Sequence, residues 1–233
     1  MKFALVKGKR KNIKDAVRGE VGYDCWHPQY TVQACVGHYL RYWKYVGERP
    51  LLPEGYENET EWHAAWKNGV KEEYCEVICG NSNEHRADIK TPDQVIEIQY
   101  SSISHEAATE RSEFYRNLMG ENSRVIWIVN VYSVQKNIRF LPLGQEKAFF
   151  KVDWKYPKKW VKDIAGYKNT RVYLDLLPRN NKLVHIWRHG EELFGNWETK
   201  EHFFATHFER YSEISFQEFR KGFLDLNLSD YCR

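Results

Sequence analysis

No run of apolar residues in this 233-residue chain approaches the roughly 18 needed to cross a bilayer. The opening Met1-Lys2-Phe3-Ala4-Leu5-Val6 is too short for a secretory signal. These absences lead to the expectation of a cytoplasmic protein with no membrane partner. Cysteine is scarce: five residues, an odd number without a C-x-x-C pair, argue against a disulfide scaffold. Cys25, His27, Cys35 and His38 match no standard zinc spacing, and Cys75 and Cys79, in phase with Val77, read as packed side chains. An excess of one charge is missing too. The net charge is only +3, so a nucleic-acid partner is permitted but not demanded. It would have to use local clusters such as Lys7-Gly8-Lys9-Arg10-Lys11 or Lys155-Tyr156-Pro157-Lys158-Lys159-Trp160, both of which read first as solvated loops. Repeats and low-complexity linkers are also lacking. What is present, 42% hydrophobic and 15% aromatic residues, supports a sizeable core.

The most informative stretch runs from His85 to Tyr115. Asp88 precedes a turn, Thr91-Pro92-Asp93-Gln94, and Glu97 follows it inside the apolar strand Val95-Ile96-Glu97-Ile98-Gln99-Tyr100. A hairpin centred between Pro92 and Asp93 sets positions summing to 185 opposite each other. Asp88 then faces Glu97 and Arg86 faces Gln99 on one side, with Ala87, Ile89, Ile96 and Ile98 turned to a core. Like charges so placed destabilise a sheet unless a cation or proton compensates them. Two converging carboxylates suit Mg2+ or Mn2+. The same spacing also fits a half-exposed hairpin with its polar residues in water.

Residues 104–119 read as a helix with Ser104 as N-cap, Glu106 in the first turn, and Arg111 and Tyr115 on one face. A buried strand follows over 124–131. Upstream, Asn58 with Glu61 resembles a capping box, opening a helix on which Glu59, His63 and Lys67 form a polar stripe beside Trp62 and Trp66. An exposed, salt-bridged stripe is the plainer reading of those three. Elsewhere, strands are expected over 2–6, 30–36, 71–79 (leading into the Asn81-Ser82-Asn83 turn) and 147–154. A short proline-opened helix is expected over 157–164, a hairpin over 171–187, and helices over 200–210 and 216–224. His202 and His207, five apart, do not align on a helix face. With His185 and His189 they read as surface or packing residues, not metal ligands.

In sum of motif order, Glu59-His63-Lys67, then Arg86-Asp88, then Ile96-Glu97-Ile98-Gln99-Tyr100-Ser101, then Arg111-Tyr115, then Trp127-Ile128, the chain resembles the competence protein CoiA and its relatives in the PD-(D/E)XK nuclease superfamily. The resemblance spans about residues 55 to 132. Relatives often have a cysteine-containing opening and a His-Phe-x-His run, where this chain has Cys25, Cys35 and His38-Tyr39-Leu40-Arg41. The lysine usual in the E-x-K strand is Gln99 here, a glutamine shared by many CoiA-like sequences. It can orient water but supplies no cation, a task left to Lys67 or Arg111.

The resemblance implies an α/β fold with a restriction-endonuclease-like core, a mixed central sheet flanked by helices, over 55–145. A β-rich N-terminal segment (1–54) precedes it and an α+β C-terminal extension (146–233) packs on it. It implies a Mg2+- or Mn2+-dependent deoxyribonuclease, in recombination or in phage–host conflict, with DNA and a protein as partners. Asp88, Glu97, the Ile98 carbonyl and His63 would hold metal, and Gln99 and Glu59 would complete the catalytic set. Arg111, Tyr115, Lys67 and Arg86 would meet the substrate. The alternative is a catalytically silent DNA- or protein-binding module with the same fold.

Overall fold

The computed structural model describes residues 1–37, 41–51, 59–82, 84–100, 102–120, 123–144 and 149–226. Asn58, His38, Tyr39, Leu40, Asn83 and Ser101, each part of a pattern above, fall outside them. The chain forms two compact units, 1–59 and 60–233.

The first unit is an antiparallel sheet of β1 (Phe3–Val6), β2 (Lys9–Asn12), β3 (Val21–Asp24), β4 (Thr31–Val36) and β5 (Arg41–Tyr45), in the order β2-β1-β3-β4-β5. Alternation along β4 buries Val32 and Ala34, which cluster with Ala4 of β1 and Trp43 of β5. Lys7 and Gly8, both at positive φ, make the β1–β2 turn, so the basic run from Lys7 to Arg10 is an exposed hairpin end.

The second unit has one mixed, nine-stranded sheet. Its elements are α1 (Glu61–Lys67), β6 (Cys75–Cys79), β7 (His85–Lys90), β8 (Gln94–Gln99), α2 (His105–Met119), β9 (Arg124–Asn130), β10 (Ile138–Leu143) and β11 (Phe149–Trp154). They continue with α3 (Lys159–Ile164), β12 (Thr170–Asp175), β13 (Lys182–His189), β14 (Glu192–Thr199), α4 (Lys200–His207) and α5 (Phe216–Leu224). The sheet order is β10-β11-β14-β13-β12-β9-β8-β7-β6. Only the centre is parallel, β8 with β9 and β9 with β12. There β9 is buried at every residue after Arg124, as a strand covered on both faces must be. The strands after residue 138 extend this same sheet.

Helices cover both faces. Beneath α2 and α3 lie Val95, Val125, Trp127, Val129, Val172 and Leu174. Against the other face Trp66 of α1 sits in a box of Phe203, Phe208, Phe219 and Phe223 from α4, α5 and the turn between them. Among the described residues no helix is long and apolar enough to cross a membrane.

Candidate active site

Helix α1 starts two residues later than the sequence pattern suggested. Its N-cap is Thr60, whose hydroxyl accepts from the His63 N–H at 3.3 Å. Glu59 therefore lies outside the helix, half-buried, and the expected i, i+4, i+8 stripe reduces to His63 and Lys67. Both are buried, so an exposed salt-bridged stripe is excluded as well. His63 closes the capping box: its Nδ1 accepts from the Thr60 N–H at 3.3 Å and lies 2.8 Å from the Thr60 hydroxyl. His63, expected as a metal ligand, is engaged here through Nδ1 in the helix cap.

The β7–β8 hairpin keeps the predicted register at its turn, with Ile89 opposite Ile96 and Lys90 opposite Val95. Regular pairing stops before Asp88. Instead the Ile98 N–H donates to Asp88 Oδ2 at 2.9 Å. The strict alternation expected of Ala87 and Ile89 fails here too: Ala87 enters the cluster under α2 with Val95, while Ile89 stays with Ile96. The physical reason lies on the next strand. Glu76 adopts φ +49°, and it interrupts the β6–β7 ladder at the position across from Asp88. A non-glycine residue in the left-handed region is costly and marks a local twist. Glu76 was not singled out from sequence. The only signal was a carboxylate set inside the apolar run Cys75 to Cys79.

Around this twist three carboxylates and three cations interlock. Lys67 Nζ reaches Asp88 Oδ1 at 3.0 Å and Glu76 Oε1 at 3.3 Å, and Arg86 Nη1 stands 3.9 Å from Glu76 Oε2. On the α2 side Arg111 Nη1 lies 3.3 Å from Glu97 Oε2. Lys67 is thus buried on carboxylates and does not face a substrate; Arg86 is half-buried on Glu76. Tyr115 is buried completely, its ring against His85 and Phe114 and its hydroxyl toward Glu97. The expected contact of that ring with a base is not available. Gln99, also buried, sits two residues along β8 from Glu97. Ile96 and Ile98 are buried as expected.

The two central carboxyls respond oppositely to burial. For Asp88, burial opposes the charged form, but the charges of Lys67 and His63 and the Ile98 N–H outweigh it and hold the carboxyl below its ordinary value. For Glu97, burial and then the Asp88 charge push the carboxyl up to about 7, despite Arg111. Glu97 Oε1 and the Tyr115 hydroxyl are buried, and neither completes a regular hydrogen bond with a described residue. A buried unsatisfied carboxylate oxygen costs about 1–3 kcal/mol or more. Among the described residues no three His, Cys, Asp or Glu side chains form a ready-made metal cage. Mg2+, however, commonly takes one or two carboxylates and fills the rest of its shell with water and substrate. Two neighbouring carboxyls, one with an unsatisfied oxygen, fit that pattern.

Three further histidines and cysteines have clear packing partners. His207 is buried with its Nδ1 2.9 Å from Gln94 Oε1, His202 lies by Glu198, and the Cys75 thiol donates to the Lys67 carbonyl. Comparison of the chain with family models, with curated proteins and with solved structures found no match.

Proposed function

We propose that this protein is a divalent-metal-dependent deoxyribonuclease of the CoiA-like, PD-(D/E)XK type, with Asp88 and Glu97 as its metal-binding carboxylates. The observation that carries this reading is Glu97, a buried carboxyl pushed up to about 7 beside a second carboxyl held ionised, with Oε1 unsatisfied. Strongly shifted neighbouring groups of this kind concentrate at functional sites. The order α1, β6–β7–β8, α2, β9 supports a restriction-endonuclease-like core around them.

Bound Mg2+ or Mn2+ supplies Lewis acidity toward the phosphate and a more acidic water. Water adds to phosphorus, one P–O ester bond breaks, and an alcohol and a phosphate monoester result. Asp88 offers a carboxylate already ionised at neutral pH. Glu97 must lose its proton before it can bind, so binding strengthens as the pH rises through about 7. The Ile98 carbonyl lies on the same strand segment as a further oxygen donor. Lys67 and Arg111 position the two carboxyls. Gln99 orients water from the end of β8.

A second reading, a silent DNA- or protein-binding module, is favoured by one observation. Lys67, Arg86 and Arg111 equal Glu76, Asp88 and Glu97 in number, so once Glu97 ionises these six charges balance without metal. Labelled linear, circular and single-stranded DNA, incubated with Mg2+, Mn2+ or EDTA, separates the two. Cleavage is expected with metal only. Activity that persists in EDTA defeats the metal-dependent reading, and no cleavage with either metal favours the silent module.

A further inference from the structure

On the β12–β13 part of the sheet, opposite to α2 and α3, three cations stand around a depression of about 470 Å3. Arg171 and Trp187 are cross-strand neighbours, one step beyond the registered pair Val172–Ile186. Arg124 lies on the same face at the start of β9, whose Ile126 is in register with Arg171. Lys168 and Tyr167, in the loop that follows α3, form the rim. No carboxylate lines the depression, and Arg124, Lys168 and Arg171 form no ion pair with a described residue. Two acids stand outside its lining: Asp93, whose carbonyl accepts from the Arg124 N–H, is paired with Arg210 and the Tyr211 hydroxyl, and Glu198 lies beside His202. His185 also lines the site; burial and then the Arg171 charge hold it below the usual histidine value. The local field is therefore positive, and a flat half-buried indole stands in it.

We infer that this depression binds a phosphoryl group attached to a planar ring, that is, a nucleotide, either free or as the phosphorylated end of a strand. Uncompensated cations beside an open pocket attract an anion, guanidinium groups match phosphate oxygens in pairs, and an indole face accepts a base. The volume lies within the range of small-molecule sites. No part of this inference rests on Asp88 or Glu97.

The test is a titration of the full chain in EDTA, so that its outcome is independent of any metal chemistry. The probes are adenosine monophosphate, adenosine, and a short oligothymidylate with a 5′-phosphate or a 5′-hydroxyl. The monophosphate is expected to bind at least tenfold more tightly than adenosine and to weaken with salt. Lys168→Gln, in an exposed loop, and Arg171→Gln are each expected to reduce that affinity about tenfold. With tryptophan fluorescence as the readout, Trp187→Phe should diminish the change that the monophosphate produces. Preference for the 5′-phosphorylated strand over the 5′-hydroxyl strand assigns the ligand to a strand end; binding of the monophosphate without either strand assigns it to a free nucleotide. Equal affinity for adenosine and its monophosphate, unchanged binding by both cation variants, or no binding by any probe overturns the inference.

Discussion

Two clusters of charge are buried against the same nine-stranded sheet, and they differ in how completely they are satisfied. In one, Lys200 Nζ donates to Asp175 Oδ1 at 3.1 Å and to the Pro178 and Asn180 carbonyls at 2.6 and 2.9 Å. Asp175 Oδ2 accepts from the Trp62 indole at 3.0 Å, and the ammonium lies 4.5 Å from the Phe223 ring centroid. A lysine has three protons to give, and all three are placed. In the other cluster Asp88 keeps 23% of its side chain exposed, and Glu97 Oε1 completes no regular hydrogen bond with a described residue, although the Tyr115 hydroxyl is turned toward Glu97. Saturated charge pins α1 and α4 to β12. The unsatisfied pair retains capacity for something the chain does not supply, which is why only the second cluster is read as a site.

The largest expected effect tests that distinction at its centre. Asp88→Ala or Glu97→Ala should reduce DNA cleavage by at least about 10³-fold while the circular dichroism spectrum stays native. Wild-type rates in either variant would remove the site from the argument. Next in size is the opposite experiment on the saturated cluster. Lys200→Ala leaves Asp175 buried without its cation, and a broken buried pair costs about 3–5 kcal/mol. Chemical denaturation should show that loss, whereas cleavage by the remaining folded protein should be unchanged. A reduced rate per folded molecule would mean that the two clusters are coupled.

The Lys200–Asp175 side of this contrast was not visible in the sequence; much of the frame around Asp88 and Glu97 was, and the part that was not has local causes. The turn at Thr91 to Gln94, the two β7–β8 pairs beside it, the cap at Ser104 and the helices at α4 and α5 follow from periodicity and turn chemistry, which are short-range signals. The expected pairings of Asp88 with Glu97 and Arg86 with Gln99 do not form. Strands β10 and β14 escaped notice. The first runs through Pro142 and the second through Gly195, residues that ordinarily argue against a strand. Within the site, Asp88 and Glu97 were visible as polar interruptions of apolar strands. Glu76 was not, because its importance comes from one left-handed backbone angle that brings it beside Lys67 and Arg86. The roles first given to Lys67 and Tyr115 failed for a related reason. Helical spacing shows which face a residue shares but not whether that face is covered, and here both are buried.

A smaller effect concerns protons. Glu97 has an ordinary value of 4.5 and is pushed up to about 7 in the fold. Between those pH values the native state holds a proton that the unfolded chain has released, so native stability falls as the pH rises through this window. In metal-free buffer Glu97→Gln should abolish that fall. Its thermal stability should match the parent near pH 4.5 and exceed it at pH 8, by up to about 3 kcal/mol. A parent whose stability does not decline between pH 5 and 8 would show that Glu97 is ionised throughout. The two clusters would then be more alike than the geometry suggests.

The smallest effect decides what Arg111 contributes. Its Nη1 lies 3.3 Å from Glu97 Oε2, and its charge works against the elevation of that carboxyl. Removing it should push Glu97 higher still. If Arg111 acts by positioning Glu97, Arg111→Ala should move the acid limb of the pH–rate profile to higher pH, Arg111→Lys should move it back, and DNA affinity in an Asp88→Ala background should stay constant across a salt titration. If it instead grips phosphate, affinity in that background should fall about tenfold and the slope of log K against log salt should drop by about one, with the acid limb in place. The contact with Glu97 and the 13% exposure of its side chain favour the first outcome. An unmoved acid limb together with a reduced salt slope would assign Arg111 to the DNA and leave Glu97 governed by burial and Asp88.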